Sequence, residues 1–426
     1  MEKKRIATLF LIVFADMAGA SAILPIIPLY VVGQFRATPL QAALVLTVYY
    51  VAQMLASPLL GNLSDRLGRR PVLLISQAGT IVSYLLIVFA APLGALLDQA
   101  GLQIGVAGGP VVIYLARLLD GVTGGNISVA QAYASDVSTP EERTRALGLI
   151  GGASGIGHIL GPALAGLLSP LGLLTPFMGA AVISGITLLL TLLWLHEPQK
   201  HAESLKQGRV PLSQAIQRVW NLPILLLLAM VLVVGLYMAA LFGTAALYTG
   251  RVLLPHQPET VVVPAVGAIV TVIGLIMALV QIFLLKPVAG HLGERRALLP
   301  GCVLLLISAA GFSAFTSLWW FIAFMVVFSF GVGIISPTLQ SLLTRQGPES
   351  IAGRMLGWYQ SMFSLSLILG PVWSGWVFEA VAPQAVFMVS AGLMVLALVL
   401  SLIMQRLLRV QSFHHHHEPA GVHFHH

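Results

Sequence analysis

Of 426 residues, 58% are hydrophobic and 9% are charged, with 22 Lys and Arg against 15 Asp and Glu for a net charge of +7. Soluble domains carry about 25% charged residues, disordered chains are polar, and transmembrane barrels alternate instead of running apolar over long stretches. What remains is an all-α membrane protein that crosses the bilayer many times.

A helix needs about 20 apolar residues to cross a bilayer. Twelve such runs are predicted, over 6–33, 39–60, 72–97, 109–135, 145–168, 175–195, 222–249, 261–285, 297–317, 319–344, 355–378 and 384–408. Glu2-Lys3-Lys4-Arg5 ahead of the first run resembles a signal-peptide start. Asp16, Pro25 and Pro28 interrupt that run and no clear small-residue cleavage site follows, so a retained first helix is expected. The longest polar stretch, 196–221, separates six runs from six. The expected organisation is an N-terminal bundle (1–195), a cytoplasmic linker (196–221), a C-terminal bundle (222–409) and a His-rich cytoplasmic tail (410–426).

With the N-terminus placed in the cytoplasm, 19 of the 22 basic residues fall in inside segments, and only Arg36 and Arg251 lie in outside loops. That bias sets the orientation by the positive-inside rule, with both termini cytoplasmic in the plasma (inner) membrane. It also accounts for the positive charge without a nucleic-acid partner. Cys302 is the lone cysteine, so no disulfide forms within the chain.

The halves repeat. Arg145, Leu147-Gly148 and Ile159-Leu160-Gly161-Pro162 with Gly166 recur, shifted by 209, as Arg354, Leu356-Gly357 and Ile368-Leu369-Gly370-Pro371 with Gly375. Leu67-Gly68 with Leu73-Leu74 recurs, shifted by 225, as Leu292-Gly293 with Leu298-Leu299. The 16-residue difference is expected in the outside loop near 98–110. Two parallel six-helix repeats are one way to build alternating access around a midplane site.

Several motifs carry chemistry. In the first helix, Asp16 lies about ten residues deep, where a carboxylate is costly and functional by default. A carboxyl there can exchange a proton near neutral pH. Between the second and third helices runs Gly61-Asn62-Leu63-Ser64-Asp65-Arg66-Leu67-Gly68-Arg69-Arg70-Pro71, an inside loop with an acid and three arginines. Asp65 is expected near the positive end of a helix, and the arginines suit carboxylates or anionic lipid. In the fourth helix, Arg117 and Asp120 are three apart and share a face. Two readings of Asp120 stand: a second proton site, or the counter-ion of Arg117. In the fifth helix, over the stretch that runs from Gly157 to Gly166, the glycines four apart form a smooth face for a neighbouring helix, and Pro162 is expected to bend it.

The Gly61–Arg70 pattern resembles the signature of the major facilitator superfamily, matching at Gly61, Leu63, Ser64, Asp65, Arg66, Gly68, Arg69 and Arg70. A degenerate second copy, Gly290-His291-Leu292-Gly293-Glu294-Arg295-Arg296, occupies the equivalent place in the second half. The resemblance implies that the loop locks an inner gate, with Asp65 as the locking acid. Gly157, Gly161, Pro162 and Gly166 are similar to the family's antiporter motif, with Ala165 standing where the motif has a glycine. The first helix is similar to that of tetracycline/proton antiporters and related drug exporters. Arg117 and Gly121 match the family's proton-transfer motif, from which Asp120 departs. Classical tetracycline antiporters also have acids inside the third and ninth helices. Here Asp98 stands just beyond the third, and the ninth has none.

The resemblance implies a central cavity lined by helices one, four, seven and ten. Candidate substrate contacts are Asn126, Tyr237, Met238, Phe242, Phe328 and Gln340, joined by Gln53, His158, Gln281, Trp358 and Gln360 from the flanking helices. Met and aromatic side chains suit a broad apolar substrate. The expected function is a proton-coupled exporter of small amphipathic organic molecules, functional as a monomer, with no cofactor. No metal-ligand spacing or Ser/His/Asp grouping is found in the helices, and no phosphate-binding Gly-x-x-x-x-Gly-Lys pattern is present, so neither enzymatic chemistry nor ATP drive is expected.

His414, His415, His416, His417, His423, His425 and His426 are seven of the twelve histidines. Such a tract binds transition metals through neutral imidazole, or is an incidental polar tail. An alternative function is therefore a divalent-metal exporter that collects its cargo on this tail. Another is a membrane receptor or scaffold that moves nothing.

Overall fold

The computed structural model describes residues 2–23, 26–101, 107–124, 126–138, 140–198, 221–280, 283, 294–346 and 352–415. Among these, regular structure is helical throughout. The reason is the solvent: in hydrocarbon, each backbone N–H and C=O must be satisfied within the segment, and a helix does so alone.

The first half contains α1 (Glu2–Ile23), α2 (Ile27–Phe35), α3 (Pro39–Leu67), α4 (Arg69–Val88), α5 (Ala90–Gln99), α6 (Gly108–Thr123), α7 (Asn126–Val137), α8 (Pro140–Leu168) and α9 (Thr175–Trp194). The second contains α10 (Leu222–Tyr248), α11 (Glu259–Leu279), α12 (Glu294–Ala314), α13 (Leu318–Thr344), α14 (Ala352–Ala380) and α15 (Ala385–His415). Among the described residues nine helices are long and apolar enough to cross a membrane, and the pair α1/α2, bent by 42°, makes a tenth. The two remaining expected runs are also helical: one is divided between α6, which ends before Gly124, and α7, and within α8 the described apolar stretch Ala146–Gly157 is shorter than a span.

Several expected boundaries are corrected. The 61–71 segment is not an open loop. Gly61 to Leu67 are the last turns of α3, and the chain reverses at Gly68 alone, whose φ of 105° suits glycine. Helix three is broken at Phe89 into α4 and α5. Under the 225 shift, Val88 corresponds to Ser313, near the end of α12 at Ala314. The 16-residue insertion therefore includes the helix α5 as well as the loop, and Asp98 sits near the end of α5, accepting from the Gly108 N–H at 2.8 Å.

Local signals fix several helix starts. Thr38 and Gln41 form a reciprocal capping box ahead of Pro39, and Asn221 accepts from the Ile224 N–H at 3.1 Å. Caps of this kind are each worth about 1 kcal/mol. α10 is apolar all round, and it is the helix buried most completely within the second half.

The same pairings occur in both halves. α1 packs on α8 and α9 as α10 packs on α14 and α15, while α4 packs on α6 and α9 as α12 packs on α13 and α15. The repeated Gly-Pro motif explains the first pairing. At Gly161 a side chain would run into Ala18, Ser21 and Ala22 of α1; at Gly370 it would run into Ala239 of α10. Both glycines permit two helices to approach backbone to backbone.

The halves meet through α3 against α14 and α8 against α11. The particular contacts gather at the end away from Gly68. Thr47 Oγ1 donates to the Ile368 carbonyl at 3.2 Å, and the Leu40 N–H donates to Glu379 Oε2 at 3.1 Å. Gly375 lies on Ala43, and Gly166 lies on Pro264 and Gly267. Toward the Gly68 end, Gly148, Gly151, Gly152 and Gly155 of α8 and Gly357 of α14 face open space. The described contacts close the cleft at one end.

Candidate functional site

Ionisable groups gather inside the first half. Asp16 of α1 and Arg117 and Asp120 of α6 are all buried. Arg117 and Asp120 form an ion pair, Nη1 to Oδ2, at 3.0 Å, with side chains 3% and 4% exposed. Arg117 also donates from Nη2 to Ser83 Oγ at 3.3 Å. Its guanidinium lies 5.7 Å from the Tyr49 ring centroid and 5.8 Å from that of Tyr84, so two π-faces add to the attraction of the carboxylate. Thr80 of α4 is buried near the Asp120 carboxyl, and its hydroxyl has no hydrogen-bond partner in the protein.

Gly121 makes this approach possible. A side chain there would meet the Tyr49 carbonyl and Ala52, so only glycine allows α6 to lie this close to α3. Gln53 bridges the same helices, donating to Tyr49 Oη and the Gly124 carbonyl, each at 3.0 Å. Ser76 of α4 donates to the Thr123 carbonyl. Arg117 and Asp120 thus sit where α3, α4 and α6 are bound together by polar contacts.

Asp16 faces α4 and α9, beside Gln77, Thr80, Ser184 and Thr187. Tyr49 and Tyr84 are within electrostatic reach of both Asp16 and Asp120. The three ionisable residues picked out from the sequence therefore belong to one buried polar cluster. Tyr49, Tyr84, Ser83, Gln77, Ser184 and Thr187 were not picked out. The signal available was the polar spacing 76, 77, 80, 83, 84 along α4, which places these side chains on one face.

A second network lies at the Gly68 turn. Arg69 pairs with Asp65 at 2.6 Å and with Asp136 of α7 at 2.8 Å, and it donates to Ser64 Oγ at 2.6 Å. The acid at the N-terminus of α4 is not Asp65, as expected, but Glu197, which follows α9. Its carboxylate accepts from the backbone N–H groups of Arg69 at 2.6 Å and Arg70 at 2.9 Å. Asp65 is within the last turn of α3, so its side chain pairs one turn onward with Arg69. Any side chain at Gly68 would strike the Glu197 carboxylate. Arg70 donates to the Leu192 carbonyl at 2.8 Å, binding α4 to α9. Arg66 is exposed and Gly61 has no atom near the position of a side chain.

The α8 motif packs against α1. Ser21 Oγ donates to the Gly157 carbonyl at 3.1 Å, and Gly157 and Gly161 lie against Met17, Ala18 and Ser21. This places the motif on the helix that carries Asp16. Gly166 instead reaches across the halves to Gly267.

The expected lining residues separate. Tyr237 and Phe328 are fully buried in the second half, with ring centroids 5.4 Å apart, and the Tyr237 hydroxyl is hydrogen-bonded to Ser308 Oγ of α12 at 2.9 Å. In the described conformation both pack in the core of the second half. Met238 is buried; Phe242 is partly buried, edge-on to Phe328 at 6.2 Å. Gln340 is partly buried near Tyr359, Trp358 is partly buried, and Gln360 is exposed on α14. Gln281, the side chains of Asn126, His158 and Pro162, residues 290–293 of the second Gly-rich copy, the linker 199–220 and residues 416–426 of the tail lie outside the described residues; so do the side chains of Glu294 and Arg295 and those of His414 and His415, which end α15.

Comparison with known proteins follows the same lines. A family model described as the Major Facilitator Superfamily matches residues 9–276 and 259–421. The class G tetracycline resistance protein of Vibrio anguillarum is 30% identical over 402 residues, 86% of this chain and 91% of that protein. The class E tetracycline resistance protein of Escherichia coli is 29% identical, covering 91% and 92%. Among solved structures, the nucleoside transporter NupG aligns with a TM-score of 0.72 at 17% identity, over 94% of this chain and 98% of that one. A bacterial homologue of the human lysosomal transporter Spinster, in an inward-facing and occupied conformation, aligns at 0.73 with 13% identity, over 94% and 96%. Those structural likenesses concern the fold.

Proposed function

The chain belongs to the major facilitator superfamily, and on that premise we propose that it exports small amphipathic organic molecules in exchange for protons. It is a multi-pass membrane transporter; the direction, the coupling ion and the substrate class are the proposed part. The observation that carries the reading is the buried cluster of Asp16, Arg117 and Asp120. Ionisable side chains in membrane helices are costly, and they mark ion or proton pathways.

In this reading Arg117 holds Asp120, and the ion pair is the fixed neighbour of Asp16. Protonation from outside neutralises Asp16 and favours the outward state, which releases substrate. Return to the inward state releases the proton, and substrate binding competes with it. The curated relatives named for tetracycline resistance support export of a polycyclic drug-like molecule. α4 and α12 lack the internal acids of tetracycline antiporters, which favours a different amphipathic substrate. Phe242, Trp358 and Gln360, with Gln53 and Gln340, are the proposed contacts in the cleft.

The proposed topology has twelve spans, with α6/α7 and α8 completing the count, in two bundles joined by the 196–221 linker. Both termini and the Gly68 turn are cytoplasmic. On that orientation the contacts Leu40–Glu379, Thr47–Ile368 and Ala43–Gly375 close the outer side, and the described conformation is inward-facing. Asp65, held by Arg69 here, is the acid free to exchange partners when the inner side closes.

Reconstituted liposomes with an imposed pH gradient test this reading. A panel of dyes and antibiotics is screened first with wild-type protein, and Asp16→Asn is then compared on each transported compound. The expected result is loss of gradient-driven transport with exchange retained. Undiminished gradient-driven transport by Asp16→Asn overturns the assignment.

A further inference from the structure

α1, α4 and α9 line a small, partly open polar cavity formed by Ile12, Asp16, Gln77, Thr80, Ser184 and Thr187. Its volume is about 10 Å³, enough for one water. Gln77 is 2% exposed, and neither Oε1 nor Nε2 of its amide has a hydrogen-bond partner in the protein. Buried amides are not left in that condition. The Thr187 hydroxyl donates to the Ser184 carbonyl at 2.9 Å, which leaves its lone pairs for the cavity.

The amide dictates the occupant. It presents a donor and an acceptor, so the guest must both accept and donate within one small volume. A bare cation would satisfy Oε1 and leave the Nε2 hydrogens facing a like charge. An apolar guest would satisfy neither. Water meets both needs and can give its second hydrogen to a carboxylate.

We propose that this cavity holds one ordered water between Gln77 and Asp16, and that Gln77, as a positioning residue, sets the proton affinity of Asp16 through it. A hydrogen bond donated to the carboxylate favours its ionised form over its neutral one. The role of Asp16 in coupling rests on the function proposed above; the water and its effect on the Asp16 titration do not.

Other titratable groups lie on the elements packed around Asp16. Tyr84 of α4 and Tyr49 of α3 face it, with the Arg117–Asp120 pair of α6 beyond them. α9 has no ionisable residue. α7 offers Tyr133 and Asp136, which are bonded to His196 and Arg69. α8 carries His158, whose side chain lies outside the described residues.

Infrared difference spectroscopy of the purified protein reads the titration directly. The Asp16 carboxyl stretch is identified by its loss in Asp16→Asn. Gln77→Met keeps the side-chain length and removes both polar atoms. It should move the Asp16 midpoint by roughly one pH unit, the worth of one hydrogen bond to a charged group. It should also abolish a water O–H band that shifts in ¹⁸O-labelled water. Gln77→Asn, which retains an amide, should restore most of both signals. An unchanged midpoint together with an unchanged water band in Gln77→Met overturns the proposal, whether or not Asp16→Asn still transports. If Asp16→Asn transports normally while Gln77→Met shifts the midpoint, the water stands and the coupling role of Asp16 falls.

Discussion

Breaking the Arg117–Asp120 pair should reveal a large and asymmetric coupling. Both side chains are buried, at 3% and 4% exposure, so solvent can compensate neither charge. Removing one partner of such a pair costs about 3–5 kcal/mol, because the other charge is left buried. The two single changes are not equivalent. Arg117→Ala strands Asp120 without its ion-pair partner, whereas Asp120→Ala leaves Arg117 with Ser83 and the rings of Tyr49 and Tyr84. A desolvated cation–π contact is worth up to about 2 kcal/mol, so Asp120→Ala should be the milder change by about 1–2 kcal/mol. The double variant has no stranded charge and should be more stable than Arg117→Ala alone, giving a coupling energy of about 2–3 kcal/mol. Unfolding of the four proteins in mixed micelles of increasing dodecyl sulfate content, followed by helical circular dichroism, measures this cycle. A coupling below about 0.5 kcal/mol, the level of independent sites, would refute a functional pair and leave Asp120 as an independent proton site.

Three further outcomes are expected. Gly161→Val and Gly370→Val should each separate a helix pair that meets backbone to backbone at that residue, and overpacking of this kind costs about 1–3 kcal/mol or more; unfolding midpoints equal to wild type would show that the contact is dispensable. Glu197→Ala should loosen the start of α4, which loses two charge-assisted acceptors, at about 1–2 kcal/mol, read as faster amide exchange at Arg69 and Arg70. Ala43→Cys combined with Gly375→Cys should form a disulfide on mild oxidation once α3 and α14 part slightly, since a Cβ at Gly375 lies 2.7 Å from the Ala43 Cβ, closer than the separation of about 3.5–4.5 Å that such a bond spans. Transport should stop and return on reduction; oxidised protein that still transports would show that this end of the cleft need not open.

Much of this protein is written in one dimension. Composition selects a helical membrane protein because hydrocarbon leaves a backbone few other options, and each expected span contains helix. The Gly-Pro motif repeated 209 residues apart predicts the equivalence of Gly161 and Gly370, because close packing of two helices needs a small residue at a fixed height. Asp16, Arg117 and Asp120 are conspicuous for the same reason: a charge at that depth is costly enough to stand out in a chain that is 9% charged. Tertiary structure decided what those residues touch. The sequence cannot say that Glu197, 128 residues from Arg69, replaces Asp65 at the start of α4, because a helix terminus accepts any acid that the fold delivers. Nor can it say that Tyr237 points into the second bundle, since an aromatic residue on a wholly apolar helix has no face marked as wet. Gln77 is a polar residue among many along α4, and only the meeting of α1, α4 and α9 brings it to the cavity that Asp16 also lines.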